Sequence, residues 1–191
     1  LTGVRGLPFG KAVQIAGRPD SGKSSHAMAF MLKAQQQGCY VILWDSEKKF
    51  SATRFDRHFK GDSKKLLLVQ SKLIREGSDE VKALIDAIMT QDPNAKILLV
   101  WDSVGGTLSK SEAEKEAREG HQMAEASKEN GMAIRGFVFQ MEKFRNPETN
   151  KENIAILLIN QVYANIGAPG QKESGGQKIE FHSSIILQLT R

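Results

Sequence analysis

The chain has 191 residues, 40% of them hydrophobic and 26% charged, with a net charge of +5 and a pI near 9.3. That length and balance suit a single soluble domain, residues 1–191, with its own core, and no apolar run reaches the ~20 residues a membrane helix needs. The lone cysteine, Cys39, excludes an internal disulfide and fits a reducing, cytoplasmic setting. The mild basic excess tolerates a polyanionic partner without requiring one.

The first residues, LTGVRGLPFG, lack the apolar stretch of a signal peptide, and a start at Leu1 rather than Met is expected of a piece cut from something longer. KAVQIAG (Lys11–Gly17) reads as a strand, followed by a helix over Ser24–Gln37 that Gly38 ends. YVILWD (Tyr40–Asp45) is a strand apolar enough to be covered on both faces. Cys39, just before it, is expected to be a small buried hydrophobe. LLLV (Leu66–Val69) is a short strand, and Ser78 is expected to open a helix running to Thr90. ILLVWD (Ile97–Asp102) is a strand ending on a carboxylate.

Gly120–Arg145 has helical periodicity weakened by Gly131 and Gly136, and IAILLIN (Ile154–Asn160) is another buried strand. A Gly-rich loop then leads to FHSSIILQLT, expected to be the last strand, with Phe181 and, earlier, Met141 in the core. Short apolar runs alternating with helical segments mark an α/β fold with a largely parallel central sheet.

Gly17–Ser25, GRPDSGKSS, has the spacing G-x-x-x-x-G-K-[ST] between a strand and a helix. In such a P-loop, glycines let the backbone approach phosphate, and amides of Pro19-Asp20-Ser21-Gly22 and of the helix start face the anion. Lys23 neutralises the β- and γ-phosphates, and the Ser24 hydroxyl, followed by Ser25, takes a Mg²⁺ position. The segment therefore predicts binding of a nucleoside triphosphate. Asp102, after its apolar strand, is the expected second Mg²⁺-side group. Glu47 lies just past a strand's carboxyl end, where it could polarise an attacking water, with Asp45 competing for that role. Asn160 and Gln161 end a buried strand and could report on the γ-phosphate. His26, His58, His121 and His182 have no metal-ligand spacing.

The set GLPFGK, GRPDSGKSS, WDSEKKF, LLVWDSVGG, LLINQV and ESGGQKIEFHSS, in that order, resembles the ATPase core of RecA-family recombinases over nearly the whole chain. The stretch GMAIRGF is similar to phage recombinases of the UvsX type, which would make the chain phage-encoded. The resemblance implies a P-loop NTPase core of RecA type, with antiparallel strand pairing toward its C-terminal end. It implies ATP and Mg²⁺ as cofactors and DNA-dependent ATP hydrolysis. The partners it implies are single- and double-stranded DNA, with homo-oligomerisation into a helical filament for homologous pairing and strand exchange.

Residue by residue, the resemblance makes Glu47 the catalytic carboxylate, demoting Asp45, and Gln161 the γ-phosphate sensor. It puts the first DNA-binding loop around Gly105–Gly120, including Gly106 and Arg118. The second runs over Val162–Gln177, including Ala164, Asn165, Lys172, Gly175 and Gly176. Two positions depart from the family pattern. Arg54 stands where an aromatic ring stacks on adenine, and Glu180 stands where bacterial members carry a lysine. The first loop also holds Glu112, Glu114, Glu116 and Glu119, a poor grip on phosphate that could equally be a solvated, disordered segment. The resemblance further implies that flanking segments for docking onto a neighbouring protomer are missing, so that the chain binds ATP better than it hydrolyses it. Two other classes share these features: a nucleotide-binding regulator without strand exchange, which the acidic loop favours, and a ring helicase. A helicase would usually place a basic finger after Gln161, where this chain has Val162, Tyr163 and Ala164. A small-molecule kinase would carry an arginine-rich lid, which this sequence lacks.

Overall fold

A computed structural model describes residues 6–116, 123–146, 148–164, 171–173 and 178–190. Six strands form one parallel sheet: β1 (Ala12–Gly17), β2 (Tyr40–Asp45), β3 (Leu66–Val69), β4 (Ile97–Asp102), β5 (Ile154–Ala164) and β7 (Ile185–Leu189). Their spatial order is β3-β2-β4-β5-β1-β7, and β6 (Gln171–Glu173) pairs antiparallel with the end of β5. The antiparallel pairing thus falls in a β5–β6 hairpin, whereas β7 runs parallel to β1.

Alternate residues of the strands feed two cores. Ile42, Trp44, Leu99, Trp101, Ile156 and Leu158 face α3 (Ile74–Gln91), α5 (Met123–Lys143) and α6 (Lys178–His182). Val41, Leu43, Val100, Leu157 and Ile159 face α1 (Lys23–Gln36) and α2 (Ala52–His58). Burial on both faces explains why the central strands are continuous apolar runs rather than alternating ones. In the first core, cross-strand neighbours Trp44 and Trp101 stack at 4.1 Å between centroids, with Phe137 edge-on to both.

Three expectations change. The helix expected from Ser78 begins at Ile74, and Ser78 lies buried inside it, its hydroxyl donating to the Arg75 carbonyl. Gly77 in REGS reads as a break, yet a Cβ there would come within 2.2 Å of the Trp44 ring: glycine is present for packing, not for a turn. Part of the first expected loop is helical, α4 (Lys110–Glu116), capped reciprocally by Ser109 and Glu112. Finally, FHSS does not belong to the last strand. Residues up to His182 form α6, with Phe181 90% exposed rather than in the core, because Ile179 is the residue of that turn that faces inward. Met141 is buried as expected, and Cys39 packs at the edge of the second core.

Candidate functional site

The sheet register sets the level of every group in the site. Asp45 on β2 pairs with Asp102 on β4, which pairs with Ile159 on β5, and Gly17 on β1 pairs with Gln161. All lie at the carboxyl edge of the sheet, where open α/β folds collect ligands. A cleft of about 420 Å³ opens there, lined by Pro19, Asp20, Gly22, Lys23, Ser24, Ser25, Asp45, Glu47, Lys49, Arg54, Asp102, Ser103 and Gln161.

The P-loop wraps its base. A Cβ on Gly17 would meet Ser21 Oγ at 2.6 Å and the Leu189 carbonyl oxygen at 3.0 Å, so only glycine fits there. Gly22, at φ 89°, turns the chain into α1. Lys23 Nζ folds back to donate to the carbonyls of Gly17 (2.9 Å) and Arg18 (2.6 Å). Burial pulls the Lys23 ammonium below its usual pKa, against the opposing pull of Asp102, Asp20 and Glu47. Ser21 Oγ is buried in the loop with no hydrogen-bond partner.

The carboxylates divide by role. Asp45 is 3% exposed and accepts from the backbone amides of Lys49 (3.0 Å) and Phe50 (2.9 Å) and from Gln70 (3.4 Å). It is committed to holding the loop after β2. Glu47, carried by that loop, faces the cleft. Its Oε1 accepts from Ser103 Oγ at 2.6 Å and from Gln161 Nε2 at 3.4 Å, and its Oε2 is paired with Lys49 Nζ. Burial alone would raise the Glu47 carboxyl, but the Lys49 and Ser103 hydrogen bonds outweigh it and hold it below the ordinary carboxylate range. Asp102 goes the other way: burial, with Asp45 and Glu47 adding to it, raises its carboxyl despite a hydrogen bond to Ser24 and the charge of Lys23. The peptide bond between Asp102 and Ser103 is cis.

Asp45, Glu47 and Asp102 bring three carboxylates to one cleft, facing Lys23 and Lys49. Among the described residues no group of three or more His, Cys, Asp or Glu side chains is arranged to hold a metal unaided. The hydrogen-bonded Ser24–Asp102 pair suits Mg²⁺, which takes few protein oxygens and completes its shell from phosphate and water. The P-loop suits an anion: Gly22, Lys23 and Ser24 line the cleft at the start of α1, where helix amides and the lysine both favour negative charge.

Arg54 forms the cleft's side wall. Its Nη2 donates to Ser25 Oγ at 2.7 Å, and its guanidinium lies 5.9 Å from the Phe59 ring centroid. A shallower side pocket continues past it, lined by Ser25, Ser51, Thr53, His58 and Phe59.

Of the expected DNA-loop residues, Gly105 and Gly106 sit in a 3₁₀ turn, Val104–Gly106, Ala164 ends β5 and Lys172 lies in β6. Gly105 and Gly106 are not among the described residues that line the cleft. Arg118, Gly120, Asn165, Gly175 and Gly176 fall outside the described residues. Sequence reasoning missed two contacts on Glu47. Gly106 leaves room for it, since a Cβ there would meet Glu47 Oε1 at 2.7 Å. Lys49 covers its other oxygen, and the only signal in the sequence was a lysine two residues after the glutamate.

An open parallel sheet with this loop, lysine, hydroxyl and strand-end carboxylate at its carboxyl edge defines a P-loop domain of the α/β class. The family described as "RecA N-terminal domain" matches residues 1–191, and the chain belongs to that family. It is 29% identical over 195 residues to Protein RecA of Ureaplasma parvum, covering 100% of this chain and 53% of that protein. It is 27% identical over 193 residues to Protein RecA of Aquifex aeolicus, covering 100% of this chain and 51% of the other. It is 26% identical over 195 residues to the "DNA repair protein recA homolog 3, mitochondrial" of Arabidopsis thaliana, covering 99% and 42%. The chain spans about half the length of the curated relatives it matches.

Proposed function

We propose that this chain is the ATP-binding core of a DNA recombinase, which binds Mg·ATP and single-stranded DNA and hydrolyses ATP in response to DNA. The observation that carries the reading is the meeting of Lys23, Ser24, Glu47, Asp102 and Gln161, from four neighbouring strands, in one cleft. Lys23 leaves its carbonyl partners to neutralise the β- and γ-phosphates, and backbone amides of Asp20–Lys23 cradle them. Ser24 and Asp102 would hold Mg²⁺, which when bound neutralises charge between the β- and γ-phosphates. Glu47 orients a water and takes its proton as the water oxygen attacks the γ-phosphorus. The bond from that phosphorus to the bridging oxygen breaks, its electron pair leaving with ADP. Gln161 hydrogen-bonds Glu47 and sits at the root of the β5–β6 hairpin. It therefore links the γ-phosphate end of the cleft to a segment proposed to touch DNA.

The test is fluorescence anisotropy of labelled single-stranded DNA titrated with the protein, with and without Mg·ATP, beside the Glu47→Gln variant. DNA binding that needs ATP and tightens in the variant supports the recombinase reading. Normal ATP binding with no DNA binding under any condition overturns it in favour of a nucleotide-binding regulator, which the acidic Lys110–Glu116 helix would suit.

A further inference from the structure

Both oxygens of Glu47 are engaged: Oε1 by Ser103 and Gln161, Oε2 by the Lys49 ammonium group. Three donors occupy three of the carboxylate's roughly four acceptor positions, and the ion pair draws charge from Oε2, the oxygen with room for a water. Ser103 and Gln161 are held by the sheet edge, but Lys49 differs. Its backbone amide is pinned to Asp45 Oδ1 at 3.0 Å, while its side chain is 76% exposed at the mouth of the cleft. It has a fixed root and a solvent-exposed head. We propose that Lys49 is a latch on Glu47, holding the carboxylate in an unproductive pairing until a bound triphosphate draws the ammonium away.

The proposal rests on Glu47 being the base, and the magnitudes favour a latch over a permanent brace. A carboxylate pair with so exposed a partner is worth roughly 0.2–1 kcal/mol. The γ-phosphate of ATP brings further negative charge to the cleft and competes with the carboxylate for the ammonium, so the ATP complex divides between latched and open forms. In the open form Oε2 is free for the water, while Ser103 and Gln161 keep Oε1 oriented. ADP, lacking the γ-phosphate, leaves the latch closed. Asp102 and Asp45 also attract Lys49 at the mouth of the cleft.

The experiment measures steady-state Mg·ATP hydrolysis without DNA, by phosphate release, in the intact protein. The variants are Lys49→Met, Lys49→Gln, Lys49→Arg, Glu47→Gln and the double variant Glu47→Gln/Lys49→Met. Removing the latch is expected to raise kcat about two- to fivefold, the rate equivalent of such a pair, with KM unchanged. Arginine, which restores the pairing, is expected to return kcat to the wild-type value, and Lys49→Met is expected to change nothing in the Glu47→Gln background. An unchanged or lower kcat in both Lys49→Met and Lys49→Gln overturns the latch. So does a raised KM in both with kcat unchanged, which would make Lys49 a plain phosphate-binding cation. Should Glu47→Gln alone hydrolyse ATP at the wild-type rate, the base assignment fails first, an outcome distinguishable from failure of the latch.

Discussion

One residue separates Asp45 from Glu47, yet they end in opposite circumstances. Asp45 is filled by three donors and builds the loop, while Glu47 is presented by that loop to the cleft. Glu47→Gln is therefore expected to cost about a hundredfold or more in hydrolysis while ATP binding survives, checked by phosphate release against equilibrium binding of ATP. Asp45→Asn is expected instead to lower stability by about 1–3 kcal/mol, since an amide cannot accept from all three donors, and urea denaturation would measure it.

Asp102 offers a test with the opposite sign. Its raised pKa means that the folded chain holds this proton more tightly than the unfolded chain does. Folding stability therefore falls as pH rises from the ordinary carboxylate value to the raised one. Asp102→Asn removes that cost. It is expected to stabilise the nucleotide-free protein by about 1 kcal/mol above that window, with little difference in acid, while weakening Mg²⁺-dependent ATP binding. Denaturation at several pH values, with ATP titrations with and without Mg²⁺, reads both effects. Equal stability of the two proteins at neutral pH would remove the electrostatic account of Asp102.

At the level of elements, α3 is tied to the sheet by the contact of Gly77 with the Trp44 ring. Gly77→Ala would place a methyl carbon 2.2 Å from that ring and is expected to destabilise the fold by about 1–3 kcal/mol, measured by loss of the chemical denaturation midpoint. The same contact explains what the sequence hid. The bounds of β2 and β4 are legible because strands buried on both faces are continuous apolar runs, and the edge strand β3 is legible as a short apolar run. The start of α3 was illegible because Gly77 reads as a breaker until the Trp44 ring is seen above it.

The position of Phe181 was hidden for a similar reason. FHSSIILQLT is apolar enough to pass for one strand, and only the turn of α6 shows Ile179 going inward while Phe181 points out. In the site, Lys23, Ser24 and Asp102 were readable from spacing alone. Glu47 needed the family pattern, because Lys48 and Lys49 beside it look like ordinary surface charge. The contacts of Ser103 and Gly106 with Glu47 depend on loops meeting across the sheet edge, which no local pattern encodes.

At the scale of the whole molecule, the site bridges both halves of the sheet, so its ligand acts as a clasp. Saturating Mg·ATP, at about a hundred times its dissociation constant, is expected to add about 2.7 kcal/mol to stability. Lys23→Ala is expected to abolish that gain, and thermal denaturation with and without Mg·ATP would show it. An equal thermal shift in Lys23→Ala would mean that the stabilising ligand sits elsewhere. Among the described residues no helix is long and apolar enough to cross a membrane.

The strand that carries the P-loop has a further consequence. β1 is hydrogen-bonded to β5 on one side and β7 on the other, so Val13 lies beside Leu157 and Ile185, both from the far part of the chain. During synthesis β1 emerges from the ribosome before either neighbour exists. The phosphate loop must wait, without its flanking strands, until β7 has left the exit tunnel. Loop closure over so many residues is slow, and nucleotide offers the nascent chain no help before that moment. The proposed ATP would thus act late in folding, stabilising a finished sheet rather than templating one.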